Sequence, residues 1–298
     1  MSRWRPLKAE KSMARDIVLA GIPRSGTTLA CVLLNQVPNT VALNEPFPMG
    51  GLVSQPNAHS QVEWLKNCFA ETRDSLQKTG SAFCKAKDGQ LCTNPFAEHP
   101  SGNGLRQDVF ARQLVFFPSP RSGDFTLVAK HPNAFTVLLP ILSPHFECFA
   151  VVRNPLAVLL SWNCTDASWL DGHVPAAEQL DRGLREGLEK IESALDRQLF
   201  ILSHYFSTIR QSLPGNRVVL YEDLILTGGG ALFGIAPQAV DLRCALTNFN
   251  SNPAYDKSQV NRFARHLLER ASSWAPFYIE GDIEALADSL LSNPGVLP

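Results

Sequence analysis

The segment Gly21-Ile-Pro-Arg-Ser-Gly-Thr-Thr28 combines a turn, a cation and several hydroxyl groups over a short stretch. The apolar run before it, 16–21, predicts a buried strand, and residues 27–37 predict the helix that follows. A glycine-containing turn from a strand into a helix presents backbone N–H groups and the positive end of the helix dipole to an anion. We therefore expect an anion-binding loop whose ligands are Arg24, Ser25, Gly26, Thr27 and Thr28.

This loop differs from the usual nucleoside-triphosphate loop, G-x-x-x-x-G-K-[ST], at one position. Thr27 stands where that motif has lysine, and the cation, Arg24, lies three residues earlier. Because the lysine reaches the outer phosphates of ATP or GTP, its absence argues against ordinary nucleotide hydrolysis. A tight strand–helix turn without a ligand is the simpler alternative. The letters Pro-Arg-Ser-Gly recur at 120–123, before a strand rather than a helix, and we interpret this copy as a surface turn.

A second motif, which taken alone would be a simple helix start, is Phe149-Ala-Val-Val-Arg-Asn-Pro-Leu-Ala-Val-Leu-Leu-Ser-Trp162. Arg153 follows a predicted strand, Asn154 suits a helix N-cap and Pro155 suits the first helical position. Ser161 lies about two turns into that helix. Ligands of open parallel sheets bind at the carboxyl ends of the strands, so both motifs are expected at the same edge.

The two motifs together resemble those of sulfotransferases that use 3′-phosphoadenosine-5′-phosphosulfate as the sulfuryl donor. The resemblance implies that the first loop binds the 5′-phosphosulfate and that Arg153 and Ser161 hold the 3′-phosphate. It also implies a three-layer α/β fold of the P-loop NTPase-like type, with a mostly parallel central sheet and helices on both faces. Asn154 departs from the commoner aspartate of the family.

Two C-terminal segments bear on the same resemblance. Val219-Leu-Tyr-Glu-Asp-Leu224 is similar to the family's Y-E-D-L segment, although helix capping and packing explain these acidic residues equally well. The R-K-G-x-x-G-D-W-K-N segment of the cytosolic enzymes is absent, which favours the carbohydrate-type or bacterial branch. In the corresponding region, 252–262, Lys257 or Arg262 could cover the cofactor.

Sulfuryl transfer, like phosphoryl transfer, requires cations around an in-line displacement and a base for the acceptor's proton. Arg24 is the expected cation for the bridging oxygen, and Lys130 is a second one. Glu45, in Leu43-Asn-Glu-Pro-Phe47, resembles the E-P motif that carries a proposed base in several carbohydrate and bacterial enzymes. His131 resembles the histidine of the cytosolic K-x-H-x-P segment, with one residue missing after Lys130. We favour Glu45 as the base, and His131 is the alternative.

Composition and charge limit the classes of ligand and partner that we expect this protein to bind. The 298 residues carry a formal net charge of −1, so no global basic field points to nucleic acid. The seven cysteines are scattered without a C-x-x-C pair, which favours a reduced, cytoplasmic protein. No apolar stretch is long enough to span a bilayer, and the sequence shows no metal-ligand set. The resemblance implies a small-molecule or carbohydrate acceptor, and we expect no membrane, nucleic acid or metal to be involved.

The organisation predicted is one domain, 16–298, after a basic tail, 1–15. Residues 79–104 are expected to form an irregular lid or acceptor loop. Further strands are predicted at 41–44, 126–130, 147–152 and 217–221, and helices at 61–77 and 176–213. Two other functions stay open: a P-loop kinase of small molecules or nucleotides, and a protein that binds a phosphoadenosine nucleotide without transferring a group.

Overall fold

The computed structural model describes residues 14–91, 93–102, 104–118 and 124–292. The strands are β1 (Arg15–Gly21), β2 (Thr40–Asn44), β3 (Ser81–Ala86), β4 (Ala111–Phe116), β5 (Thr126–Lys130), β6 (Glu147–Val152) and β7 (Val218–Leu220). The α-helices are α1 (Thr27–Leu34), α2 (Met49–Val53), α3 (Ala58–Thr79), α4 (Pro132–Leu142), α5 (Pro155–Trp162), α6 (Pro175–Leu180), α7 (Arg182–Leu188), α8 (Ala194–Ser212), α9 (Tyr221–Leu226), α10 (Val260–Leu268) and α11 (Glu280–Ser292).

A five-stranded sheet with the order β2-β5-β1-β6-β7 forms the centre, and all its neighbouring strands are parallel. Successive residues of β1 point to opposite faces, so Val18 packs in one buried cluster and Leu19 in another. The first cluster is completed by α3, α4, α5 and α8, and the second by α1 and residues 230–239. The predicted α/β architecture, a parallel sheet with helices on both faces, is confirmed.

The strand order brings the predicted site segments to one edge. β5, β1 and β6 are adjacent, with β2 beside β5. The carboxyl ends of these strands lead into Glu45 after β2, into His131 after β5, into the anion loop after β1 and into Arg153 after β6. Since parallel strands end on the same side, residues more than a hundred positions apart meet there.

The single long helix predicted over 176–213 is wrong, because two capped breaks divide it into α6, α7 and α8. Asp181 has an extended backbone, and its carboxylate accepts a hydrogen bond from the N–H of Leu184 at 2.9 Å. Ser193 caps α8 in the same way, through the N–H of Asp196. The apolar residues keep a helical spacing within each helix. The Asp181 and Ser193 side chains, however, bond to backbone N–H groups that a continuous helix would use, so a new helix begins at each of them.

The irregular stretch predicted over 79–104 begins later in the structure and continues up to β4. Its first part forms β3, which pairs antiparallel with β4. Ala82, Cys84 and Ala86 are buried whereas Phe83 is exposed, the alternation of a strand with one covered face. Its small inward side chains give a weak apolar signal, which is why the strand was missed.

Other boundaries differ little from the prediction. β5, β6 and α3 lie where expected, α1 ends at Leu34, and Tyr221 already belongs to α9 rather than to the last strand. Of the predicted tail, 1–13 lies outside the described residues and Arg15 belongs to β1, while the repeated motif at 120–123 also lies outside them. In the part of the chain described, no helix is long and apolar enough to cross a membrane.

Replacement of Gly21 tests how tightly the loop is held against the sheet. Gly21 has φ +144°, and a Cβ there would lie 2.4 Å from the Val151 carbonyl oxygen and 2.8 Å from Thr27 Cγ2. We expect Gly21→Ala to lower the free energy of unfolding by about 1–3 kcal/mol in urea titrations, because β1 must move away from β6. Gly50→Ala is the matched control, since no atom lies within 4 Å of its added Cβ. Equal unfolding midpoints for the two variants would contradict this close packing.

Candidate active site

The anion loop joins β1 to α1 through a left-handed turn. Arg24 has φ 72° and Gly26, the N-cap of α1, has φ 95°. No side chain caps α1, and among the described residues the N–H groups of Gly26, Thr27 and Thr28 have no hydrogen-bond partner. Unpaired N–H groups at the N-terminus of a helix are suited to an anion, which the helix dipole also favours.

The loop is anchored to the strand and helix beside it. The Ser25 hydroxyl donates to the Val151 carbonyl at 2.7 Å, and the Trp162 indole N–H donates to the Pro23 carbonyl at 3.0 Å. These bonds hold the loop against β6 and α5. Ser25 therefore uses its hydroxyl hydrogen inside the protein, and its predicted part in anion binding stays a prediction.

A buried lysine connects the loop to the next strand end. Lys130 is only 3% exposed. Its Nζ donates to Asn44 Oδ1 at 2.8 Å and to Thr28 Oγ1 at 3.3 Å, and it forms an ion pair with Glu45 Oε1 at 3.1 Å. Lys130 thus lies between the helix N-terminus and the carboxylate favoured as the base. Lys130 is therefore a buried side chain and not a solvated surface lysine.

Glu45 is held by two lysines rather than free in a loop. Besides Lys130, Lys85 Nζ on β3 lies 2.9 Å from Glu45 Oε2. Burial by itself would raise the pKa of this carboxyl, but Lys130 and Lys85 lower it to about 2. Glu45 has φ 48°, a conformation that costs on the order of 1–3 kcal/mol in a non-glycine residue and recurs at ligand sites.

His131 lies in the same region but its ring is committed to packing. The ring is buried, stacks on Phe47 with a centroid distance of 5.8 Å, and accepts a hydrogen bond from the Phe47 N–H at Nε2, 3.1 Å away. Burial is the main cause that lowers its pKa to about 3. In this arrangement the Nε2 lone pair is occupied, so the geometry favours Glu45 over His131 as the base.

Arg153 lies at the predicted second anion site, surrounded by hydrogen-bond acceptors. It is buried, and Nε donates to Asn250 Oδ1 at 2.7 Å, Nη1 to the Arg24 carbonyl at 3.0 Å and Nη2 to the Tyr255 hydroxyl at 3.1 Å. Its guanidinium also lies over the Tyr221 ring, 4.5 Å from the centroid. As predicted, Asn154 caps the following helix, accepting from the Leu156 N–H at 3.0 Å.

Arg24 and Ser161 meet at this second site. Arg24 Nε donates to Ser161 Oγ at 3.0 Å and Arg24 Nη1 donates to Asn94 Oδ1 at 3.1 Å. The structure therefore places the Arg24 side chain against Ser161, on the helix that follows β6, whereas Lys130 ends β5 on the other side of β1. Its predicted contact with the bridging oxygen is not favoured by this geometry and stays a prediction.

The side chains that contact Arg153 from the C-terminal part of the chain were not identified from the sequence. Asn250 and Tyr255 make the contacts, whereas Arg262 is exposed on α10. Glu222 of the Y-E-D-L segment holds Asn250 in position, accepting a hydrogen bond from its amide at 2.7 Å and another from the Tyr278 hydroxyl at 2.6 Å. The structure supports the packing interpretation of Glu222 over a catalytic one.

Sequence reasoning also left the partners of Glu45 and Arg24 incompletely assigned. Lys85 falls within the stretch predicted to be irregular, 79–104, and the small residues around it conceal the strand on which it lies. Asn44 and Asn94 carry no motif, and only the fold brings them to the cations. Among the described residues, no group of three or more His, Cys, Asp or Glu side chains is arranged to hold a metal ion.

The ion pairs of Glu45 predict a pH-dependent stability. Its pKa of about 2 in the folded chain is below the ordinary value of 4.5, so its contribution is complete above pH 4.5 and is lost as the pH falls toward 2. We expect Glu45→Gln to lower the free energy of unfolding by about 1–3 kcal/mol at pH 7, with a smaller difference from the unchanged protein at pH 3. Urea titrations at both pH values measure the change.

The control replaces a carboxylate in an exposed ion pair. Asp74 pairs with Lys78 on α3, and both side chains are more than half exposed. Asp74→Asn should change stability by less than about 0.5 kcal/mol at either pH. A Glu45→Gln effect that is equally small, or that grows on acidification, would contradict a stabilising pair with Lys130.

Comparison with known proteins finds no matching family model and no matching curated protein sequence. Among solved structures, the chain is similar to the sulfotransferase STF1 from Mycobacterium tuberculosis, with 14% identity over 93% of this chain and 77% of that chain and a TM-score of 0.31. It is also similar to the sulfotransferase domain of the Synechococcus olefin synthase, with 15% identity over 100% of both chains and a TM-score of 0.35. Both similar structures are sulfotransferases, but at these identities and TM-scores the likeness by itself establishes no family for this chain.

Proposed function

We propose that this protein is a sulfotransferase that moves a sulfuryl group from 3′-phosphoadenosine-5′-phosphosulfate to a hydroxyl or amine of a small-molecule or carbohydrate acceptor. The observation that carries the proposal is a pair of cation–hydroxyl contacts, one at the end of β5 and one on the helix after β6, the two strands that flank β1. Lys130 Nζ lies 3.3 Å from Thr28 Oγ1, and Arg24 Nε lies 3.0 Å from Ser161 Oγ. Two anion sites at one sheet edge suit a donor that carries phosphate groups on both its 3′ and 5′ oxygens.

The chemistry of these groups fits such a donor. The α1 N-terminus offers unpaired N–H groups, and the side chains around Ser161 are cationic. The N–H groups and Lys130 would hold the 5′-phosphosulfate, while Ser161, Arg153 and Arg24 would hold the 3′-phosphate. When bound, the donor supplies a sulfuryl group activated by its bond to phosphate.

The strand order indicates from which side the acceptor would approach the donor. Glu45, Lys130, the anion loop and Arg153 follow one another along the edge, since β2, β5, β1 and β6 are neighbours in that order. The donor occupies the β1–β6 end, so the acceptor approaches from the β2 end, beside Glu45. This order suits an in-line displacement, in which the attacking and leaving oxygens lie on opposite sides of sulfur.

Each atom transferred has an assigned destination. The acceptor oxygen or nitrogen forms the new bond to sulfur, the bond from sulfur to the phosphate oxygen breaks, and adenosine 3′,5′-bisphosphate leaves. Glu45 takes the acceptor's proton, and Lys130 and the N–H groups of α1 stabilise the charge that develops on the transferred group and the leaving phosphate.

Lys130 has two roles in this proposal. Without donor it pairs with Glu45 and helps to keep the pKa of that carboxyl near 2, which makes Glu45 a weak base. If Lys130 turns toward the bound anion, Glu45 loses part of its positive surroundings and its pKa rises toward the range useful for proton transfer. Donor binding would then prepare the base.

A calorimetric titration without added metal tests the donor site. We expect adenosine 3′,5′-bisphosphate to bind with micromolar affinity and ADP to bind at least about tenfold more weakly, because ADP places no phosphate at Ser161. Ser161→Ala should weaken bisphosphate binding about five- to twentyfold, since a neutral-to-charged hydrogen bond contributes on the order of 1–2 kcal/mol. Mg²⁺-dependent binding of ADP or ATP in preference to the bisphosphate would instead favour the kinase.

The base is tested by turnover of the sulfated donor with a panel of hydroxyl and amine acceptors, followed by mass spectrometry. We expect Glu45→Gln to lower kcat by about a hundredfold or more, the usual size of a general-base effect. His131→Gln, which keeps an acceptor for the Phe47 N–H, should retain kcat within about tenfold because His131 only packs. Full turnover in Glu45→Gln with loss in His131→Gln would reverse the assignment.

The pH profile gives an independent check on His131. Because burial lowers its pKa to about 3, this imidazole stays neutral across the neutral range. We therefore expect kcat/KM to show no ionisation near pH 6.5 that depends on His131. Such an ionisation, if present in the unchanged protein and absent in His131→Gln, would identify the histidine as the base.

A further inference from the structure

Arg106 lies beside the second anion site, although no motif includes it. It belongs to the irregular segment between β3 and β4, and its backbone forms a parallel bridge with Thr165, just after α5. Its N–H donates to the Cys164 carbonyl at 3.3 Å, and its carbonyl accepts from the Asp166 N–H at 2.9 Å. The segment is therefore held against the end of the helix that carries Ser161.

The Arg106 side chain is buried without adequate partners. The residue is 5% exposed, and its Nε is the one buried side-chain nitrogen or oxygen in the described residues without a hydrogen-bond partner. Nη2 has only a weak acceptor, Cys164 Sγ at 3.4 Å, and the same sulfur lies 3.3 Å from the Ser161 carbonyl. A buried guanidinium with an unpaired N–H is costly, and among the described residues no carboxylate forms an ion pair with it.

Arg106 and Arg153 lie close enough to Arg24, the arginine bonded to Ser161, for their charges to act on it. Arg24 donates to the Ser161 hydroxyl, Arg153 donates to the Arg24 carbonyl, and Arg106 reaches Cys164, three residues after Ser161. Burial first, and then the charges of Arg106 and Arg153, lower the pKa of Arg24 to about 10. Among the described residues, no carboxylate forms an ion pair with any of the three.

We propose that Arg106 is a third cationic ligand of the 3′-phosphate, supplied by the segment between β3 and β4. This inference rests on the proposed function. A phosphate monoester carries close to two negative charges at neutral pH, and it would complete the hydrogen bonding of Arg106 and balance the three guanidinium groups.

The test compares two ligands on variants of the full chain. Adenosine 3′,5′-bisphosphate and adenosine 5′-phosphate differ only in the phosphate at issue. We expect Arg106→Met to weaken bisphosphate binding at least tenfold in calorimetry and to change adenosine 5′-phosphate binding less than twofold. Arg106→Lys, which keeps the charge without the planar fork, should give an intermediate loss. Arg185→Met, which removes an exposed charge on α7, is the matched control and should bind like the unchanged chain.

Thermal unfolding distinguishes a phosphate-binding role of Arg106 from a purely structural one. Because Arg106 is an unpaired cation among like charges, Arg106→Met should melt at the same temperature as the unchanged chain or higher, while the melting-temperature increase caused by bisphosphate shrinks. A lower melting temperature with equal losses for both ligands would overturn the inference in favour of a structural role. Unchanged bisphosphate binding in Arg106→Met would overturn it as well. If the unchanged chain does not prefer the bisphosphate over adenosine 5′-phosphate, the proposed function itself fails.

Discussion

Buried positive charge at the carboxyl edge of the sheet is the constraint on which the site depends. Lys130, Arg106 and Arg153 are all nearly inaccessible to water, and Arg24 lies among them. Transfer of a cation out of water costs several kcal/mol even after the protein relaxes, so such groups are usually paired. Here Lys130 is paired with Glu45, whereas the arginines are bonded to neutral oxygens and sulfur. The fold thus retains an excess of charge that an anion would offset.

The scaffold keeps these charges in place by conventional means. The parallel strands are buried over most of their length, and helices or turns pack on both faces of the sheet. Gly21 allows the anion loop to leave β1 in contact with Val151, and Ser25 and Trp162 fasten the loop to β6 and α5. Most of the stability therefore comes from the apolar layers, while the polar edge holds the buried charges.

Two halves of this edge differ in their electrostatics. On the β2–β5 side, the negative charge of Glu45 is paired with the positive charges of Lys85 and Lys130. On the β1–β6 side, the described cations face one another without a carboxylate partner. A reaction that delivers a proton to the first side and leaves an anion on the second would use this difference directly.

Much of the fold and the two anion motifs could be predicted from the sequence, because they depend on local patterns. Apolar runs identified β1, β5 and β6, and the turn, cap and spacing signals located the loop, Asn154 and Ser161. Local patterns failed at Asp181 and Ser193, where a capping side chain ends a helix although the apolar residues continue with helical spacing. They also failed at β3, where the small buried residues give no clear strand pattern.

The sequence by itself thus determined the α/β class, the order of the motifs and the types of residue available for anion binding. Only the tertiary structure decided which side chains meet. It placed His131 in a packed aromatic environment, turned Arg24 toward Ser161, and brought Lys85, Arg106, Asn250 and Tyr255 to the site from distant segments. The physical reason is that these contacts depend on strand order and on packing between layers, which no short stretch of sequence encodes.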